Sequence, residues 1–148
     1  METYQEMRAR QQREVNALPL GFAFNEQQFQ EMMQKLGVSS PDELYRLGST
    51  GGFHRRSDTA LIVGTFQRHI RERQEAVHTP DGINISWLEE MIYEEMCNHE
   101  YGINCDGRHD VLNACDITEK EMEQAEFKTA WANARKRYFR NAEEKQWF

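Results

Sequence analysis

The segment NEQQFQEMMQKLG, residues 25–37, shows the pattern that decides the fold. Asn25 can accept a hydrogen bond from a free backbone N–H and so begin a helix. Apolar residues then recur at i, i+3, i+4 and i+7, which places them on one helical face; they are Phe29, Met32, Met33 and Leu36. Gly37 can adopt the left-handed conformation that ends a helix. The segment therefore predicts a short amphipathic α-helix.

Similar helix start signals recur along the chain. In each, a short polar side chain is followed three residues later by an acid or amide that can reach back to it, as in a capping box; the signals begin at Asn25, Ser40, Ser86 and Thr118. A longer helix is predicted from Asp58 to about Ala76. The last helix carries an apolar face made of Phe127, Trp131, Ala134 and Tyr138. Met122 lies out of phase with that face, so a break is expected near Ala125.

Three local expectations complete the fold prediction. A short helix is expected to carry Leu44 and Leu47. The buried side of the long helix is expected to consist of Leu61, Ile62, Phe66 and Ile70. Short apolar pieces at residues 21–24, 83–85 and 101–103 are candidates for small strands, too short for a large sheet. We therefore predict a mainly α fold, a compact helical single domain of about five to six helices with a minor β element.

Length and composition indicate a domain organisation and a compartment. The chain has 148 residues, which suits one domain. Residues 1–16 are predicted to form a polar N-terminal helix or arm, and residues 17–148 a single helical domain. We expect no membrane contact, because no apolar run approaches the ~20 residues of a membrane span. The three cysteines are an odd number, which fits a reducing, cytoplasmic compartment better than a disulfide framework.

The charge of the chain is unevenly distributed. Residues 81–126 hold 13 acids against 2 bases, and residues 127–148 hold 6 bases against 2 acids. Four of the acids are predicted to lie on the outward side of one helix; they are Glu89, Glu90, Glu94 and Glu95. An ordered acidic face can occupy a basic nucleic-acid channel on another protein, although any solvated helix also shows a charged face.

A cluster of cysteines and histidines offers a second kind of site. Zinc prefers four such ligands in a tetrahedron, and the chain could supply Cys97, His99, Cys105 and His109. The spacing is unlike that of structural zinc sites, in which paired ligands are separated by two to four residues. The alternative is that Cys97 packs as a small hydrophobe and that His99 forms a hydrogen bond at a helix end. No catalytic motif appears, so we assign no catalytic residue, and an enzyme at this cluster remains an alternative.

Basic residues offer a third kind of site. Two groups stand out, Arg55 with Arg56, and Arg135 with Arg137 and Arg140. The second group is interleaved with aromatic residues, as in surfaces that bind nucleic acid. The same residues could instead pair with the acidic block, and a pI near 5.3 counts against a nucleic-acid binder.

Several short stretches resemble a known group of proteins. They lie at residues 21–25, 27–29, 35–37, 51–53, 98–101 and 110–114. Together they resemble small uncharacterised proteins carried by phages and mobile elements of gut bacteria, over about residues 20–138. Gly51, Gly52, Asn98, His99 and Glu100 match the apparent signature of that group. No activity is established for the group, so the resemblance implies only a small accessory protein inside a bacterial host.

These observations together suggest a function. We expect an accessory protein, similar in role to anti-CRISPR proteins, that binds and inhibits or redirects a host protein, such as a nucleic-acid-handling or defence complex. Its contact residues are expected to be Glu89, Glu90, Glu94 and Glu95, joined by Asn98, His99 and Glu100. Direct nucleic-acid binding and a zinc site are the two alternatives. The N-terminal helix and the tail of Trp147 and Phe148 could serve self-association as a dimer.

Overall fold

The computed structural model describes residues 1–48 and 50–147. Six α-helices lie in that part of the chain: α1 (Tyr4–Asn16), α2 (Glu26–Leu36), α3 (Thr59–Val77), α4 (Ile85–Asn98), α5 (Gly107–Ala114) and α6 (Ala125–Lys145). Five short strands accompany them: β1 (Leu20–Phe22), β2 (Leu44–Leu47), β3 (Gly52–Arg55), β4 (His78–Thr79) and β5 (Gly82–Ile83). The predicted mainly α fold with a minor β element is confirmed. None of the described helices is long and apolar enough to cross a membrane.

Three of the four predicted caps form, but only Asn25 caps an α-helix, since the boxes at Ser40 and Thr118 begin short 3₁₀ turns. Asn25 accepts the backbone N–H of Gln28 at 2.8 Å, and reciprocal capping boxes form at Ser40 and at Thr118. Ser86 is not the cap of α4. Asn84 takes that role, because its Oδ1 accepts the backbone N–H of Trp87 at 3.1 Å.

The strands form a three-stranded and a two-stranded antiparallel sheet. The order in the larger sheet is β1–β3–β2, with Gly21 opposite Phe53 and Tyr45 opposite His54. The prediction of a short helix at Leu44–Leu47 is wrong, since this segment is strand β2. The predicted strand at residues 101–103 is also wrong. That segment is a turn, which follows Glu100 in the left-handed conformation.

The described residues form two compact units, residues 1–9 with 70–147, and residues 10–69. In the first unit α4 packs against α6, and the most deeply buried side chains are Leu88, Met91, Ile92, Met96, Val111 and Phe127. Tyr4 and Met7 of α1 belong to the same core. Met122 is buried in a 3₁₀ turn before Ala125, where α6 begins, so the predicted break is confirmed.

The second unit has its own small core. Met32 and Met33 of α2 pack with Leu44 of β2. On α3 the buried stripe differs from the prediction, because Leu61 is 53% exposed and Ile70 is 36% exposed. The buried residues of this stretch include Ile62, Thr65 and His69. Two of these are polar, which is why a search for apolar periodicity misplaced the face.

Candidate functional site

Glu95, predicted on the outward side of α4, is buried, with 5% of its surface exposed. Its carboxylate accepts a hydrogen bond from the hydroxyl of Tyr4. The side-chain amide of Asn98 donates to the same oxygen at 3.3 Å. Nε of Arg8 lies 3.5 Å from it, and Nε2 of His99 lies 3.5 Å from the other carboxylate oxygen. We call these five residues the Glu95 cluster.

The Glu95 cluster explains two of the signature positions. Asn98 and His99 end helix α4, where their side chains surround the carboxylate one turn earlier. Burial, and then the charge of Glu95, raise the pKa of Tyr4 well above its usual range, so its hydroxyl stays protonated and donates. A buried carboxylate needs such partners. The cluster therefore binds the N-terminal segment to α4, and its members Arg8, Asn98 and His99 extend from the buried carboxylate towards solvent.

The other acidic residues of α4 also have partners within the chain. Glu90 forms an ion pair with Arg137 and accepts the side-chain amide of Gln5 at 2.8 Å. Glu94 accepts the same amide at 3.0 Å. Glu89 accepts the amide of Asn133 at 3.4 Å. The predicted acidic face is therefore half-buried and engaged in contacts within the first unit, and Glu95 does not belong to it.

Glu100, another predicted contact residue, is exposed and has a φ of +51°. This conformation turns the chain away at the end of α4. Trp147 of the predicted tail lies with its ring 5.6 Å from that of Tyr138, and Phe148 lies outside the described residues.

The predicted zinc ligands do not come together. In the described part of the chain, no three His, Cys, Asp or Glu side chains form a group that could hold a metal ion. His99 instead contacts Glu95, whereas Cys105 and His109 are exposed. Burial raises the pKa of the Cys97 thiol, which disfavours the thiolate that would bind zinc or act as a nucleophile.

Two of the predicted basic residues are occupied by contacts. Nε of Arg55 donates to Asp58 at 2.7 Å, and Arg137 pairs with Glu90. Such pairing neutralises much of the charge that a phosphate backbone would meet.

The remaining three basic residues lie nearer to solvent. The guanidinium of Arg56 stacks 4.1 Å from the Tyr45 ring, and that of Arg135 lies 4.9 Å from the Phe139 ring. Arg140 is exposed on α6. These three arginines are the basic groups on which a nucleic-acid surface would depend.

A second polar cluster, in residues 10–69, was not predicted from the sequence. The carboxylate of Glu14 pairs with Arg10 at 2.7 Å, with His69 at 3.0 Å and with Arg68. Its partner His69 is almost fully buried. The hydrogen bonds from Arg68, His69 and Arg10 lower the pKa of Glu14 to about 2. The spacing of Arg10 and Glu14 was the one signal in the sequence, since residues four apart lie side by side on a helix.

An exposed aromatic surface in the same unit also escaped the sequence analysis. Phe24 is 77% exposed and Phe22 is 54% exposed. The Phe24 ring lies against the backbone of Gly51, where the Cβ of any other residue would overlap it. The contact at Gly52 is less close, since a Cβ there would lie 3.1 Å from the Phe22 ring. Gly51 has a φ of +78°, which an L-residue with a side chain rarely adopts. The glycine pair therefore seats two phenylalanine rings at the surface.

Phe24 lines an open groove of about 540 Å³. We call it the aromatic groove; it is lined by Phe24, Phe29, Phe53, Pro41, Leu44 and Arg46, and also by Ala23, Asn25 and Glu26. The rings of Phe29 and Phe53 meet edge to face at 5.4 Å. The guanidinium of Arg46 lies 5.6 Å from the Phe53 ring, and Arg46 forms no ion pair with any described residue. The groove thus combines aromatic walls with the positive charge of Arg46 and the negative charge of Glu26.

Comparison with known proteins identifies a family. No curated protein matches the chain, and no solved structure matches it either. The model of a family of unknown function, DUF7659, matches residues 3–137. Because this match covers most of the chain, the protein belongs to the family of unknown function DUF7659.

Proposed function

We propose that this protein is a binding module that contacts a partner protein through the aromatic groove, and that it inhibits or redirects that partner. The observation that carries the proposal is the position of Phe24, 77% exposed yet seated on Gly51. A large apolar side chain gains about 1.5–3 kcal/mol when it is removed from water. Partner binding would supply that burial.

The surroundings of Phe24 define the chemistry of the partner. Binding energy at protein interfaces concentrates in a few well-packed side chains near the centre of the contact. The rings of Phe29 and Phe53 would receive an apolar side chain of the partner beside Phe24. Arg46, which lacks an ion pair among the described residues, would receive a carboxylate. The proposed partner surface therefore presents an apolar side chain next to an acidic one.

The aromatic groove is a better contact surface than the acidic face of α4. Glu90 and Glu94 already accept hydrogen bonds from Gln5, and Glu95 is buried. Charge reversal there would disturb the fold before it disturbed a complex. The resemblance to proteins carried by phages and mobile elements supports a host protein as the partner, including one of a defence complex.

Three forms of the protein test this proposal: the wild type, Phe24→Ala and Leu61→Ala. Leu61 is the matched control, because it is an exposed apolar residue of the same unit on helix α3. Each form is immobilised and exposed to nuclease-treated bacterial lysate. We expect one protein to bind the wild type and Leu61→Ala at near-equal stoichiometry. Phe24→Ala should bind it at least about thirtyfold more weakly, the loss of about 2 kcal/mol typical of a central contact.

Two results would contradict the proposal. The first is equal capture by Phe24→Ala and the wild type. The second is that the wild type retains nucleic acid from untreated lysate but captures no specific protein after nuclease treatment. In that case Arg135→Ala and Arg140→Ala should each reduce the amount of nucleic acid retained. That pattern would favour the nucleic-acid alternative, whose binding should fall steeply with salt.

A further inference from the structure

Strand β1 stands at one edge of its sheet. It pairs with β3 on one side, and no described strand pairs with its other side. Ala23 donates its backbone N–H to Gly51 on the β3 side at 3.0 Å. Because neighbouring residues of an antiparallel strand point their backbone groups to opposite sides, Phe22 points its N–H away from β3. The carbonyl of Leu20 points the same way, and neither group bonds to another described residue.

A groove of about 330 Å³ runs between β1 and helix α2. We call it the edge groove; it is bounded by Leu20–Phe22 on the strand and by Met32, Lys35 and Leu36 on the helix. Gly21 lies so close to α2 that a Cβ there would overlap Met32 and approach Leu36 at 3.2 Å. The floor of the groove is therefore apolar, and one of its walls is a strand edge with open backbone groups.

The rim of the edge groove carries charge. Lys35 is exposed and forms no ion pair with any described residue. Glu31 accepts the side-chain amide of Gln27 at 3.3 Å, and Gln28 accepts the backbone N–H of Phe24 at 2.8 Å. Lys35 is the one cation among the residues that line the groove, and it lies one helical turn from the carboxylate of Glu31. Its ammonium group can pair with a carboxylate of a ligand.

We propose that the edge groove receives an extended segment of the partner protein, which adds to β1 as a further strand. Open strand edges bind chains in this way, with affinity from main-chain hydrogen bonds and selectivity from side-chain pockets. One apolar side chain of the segment lies over Met32 and Leu36, and an acidic side chain lies at Lys35. This inference rests on the proposed function, since it specifies the form of the protein segment that is bound.

The test uses a display library of random 12-residue peptides, selected against the whole protein. We expect enriched peptides with an apolar residue close to an acidic one. Two variants of Phe22 then separate backbone from side chain. Phe22→Ala removes the ring and keeps the outward N–H, whereas Phe22→Pro removes both, and proline is tolerated where the N–H of an edge strand faces outward. Phe22→Pro should bind the peptides about five- to tenfold more weakly than Phe22→Ala, the effect of one hydrogen bond.

A second measurement keeps the test valid if Phe22→Pro does not fold. Amide hydrogen exchange of Phe22 in the wild type should slow when an enriched peptide is bound, and Lys35→Glu should abolish the preference for acidic peptides. Unchanged exchange at Phe22, or equal binding by the two Phe22 variants, would overturn the edge-groove proposal. If the amide exchange of Phe22 instead slows as the protein concentration rises, with no peptide present, a second copy of the chain binds the edge. That result would overturn the edge-groove proposal.

The outcomes separate the two proposals. If a partner depends on Phe24 but no peptide depends on the N–H of Phe22, the binding module stands and the strand addition fails. If Phe24→Ala has no effect on partner capture, the aromatic-groove proposal fails whatever the peptides do.

Discussion

Removal of the Tyr4 hydroxyl tests whether the Glu95 cluster holds the N-terminal segment in place. Tyr4→Phe keeps the ring, including its edge contact with Trp87 at 5.5 Å. It removes the donor to a carboxylate that is only 5% exposed. The remaining partners are more distant, Asn98 at 3.3 Å and Arg8 at 3.5 Å. A hydrogen bond to a charged group contributes about 1.5–3 kcal/mol, so we expect the free energy of unfolding to fall by about 2 kcal/mol.

The assay is urea denaturation at pH 7, followed by tryptophan fluorescence and amide hydrogen exchange. Trp87 reports on the segment because its indole N–H donates to the carbonyl of Glu2 at 3.0 Å. Glu95→Gln completes a double-mutant cycle with Tyr4→Phe. We expect a coupling energy of about 1.5 kcal/mol, as for residues of one hydrogen-bond network.

The pH dependence gives an independent check on the same contact. The pKa of Tyr4 in the folded protein lies above its ordinary value of about 10. The protonated hydroxyl therefore stabilises the fold fully below pH 10, and that contribution is lost as the pH rises above 10. The wild type should lose stability there more steeply than Tyr4→Phe. The reasoning is refuted if Tyr4→Phe changes the free energy of unfolding by less than about 0.5 kcal/mol, the range of neutral surface substitutions.

Two further predictions concern residues 10–69. Glu14 has its pKa lowered from 4.5 to about 2, so its ion pairs stabilise the fold above pH 4.5 and weaken as the pH falls towards 2. Glu14→Gln should cost about 1 kcal/mol at pH 7, since the side chain is 28% exposed. Urea denaturation at pH 2, where the carboxyl of the folded wild type is half protonated, should show most of that difference lost. Gly51→Ala should cost more than Gly48→Ala by thermal denaturation, because both have positive φ but an added Cβ overlaps Phe24 at Gly51 alone. The left-handed backbone should cost each alanine variant about 1–2 kcal/mol of stability. Equal losses of stability in the two variants would contradict the contact between Phe24 and Gly51.

The helices could be predicted from sequence because their signals are local. The cap at Asn25 and the glycine after Leu36 both act within one or two turns of α2. Such contacts need no knowledge of distant residues. Strand β2 lacked any local signal of this kind. Its conformation depends on pairing with β3 across the glycine hairpin, and the two leucines at Leu44 and Leu47 fit a helical turn equally well.

The Glu95 cluster could not be predicted, because its main partner lies 91 residues away. On a helical wheel of α4, Glu95 lies beside other acidic residues, so its polarity alone predicts an exposed side chain. The same reasoning failed on α1, where Tyr4, Met7 and Gln11 are buried although the helix is polar nearly all round. A buried polar residue is stabilised by a particular partner rather than by its own hydropathy. Sequence periodicity therefore finds apolar cores and misses polar contacts.

The same distinction separates the signature positions by role. Asn98 and His99 contact a buried carboxylate, so their substitution should lower stability whether or not a partner binds. Gly51 and Gly52 instead support rings that remain exposed, so they shape a surface that the fold itself does not need to cover. A buried contact is sufficient to explain the first pair. Gly51 also makes the turn between β2 and β3 through its positive φ, but that turn does not cover the Phe24 ring. We therefore locate the proposed contact at Phe24 rather than on helix α4.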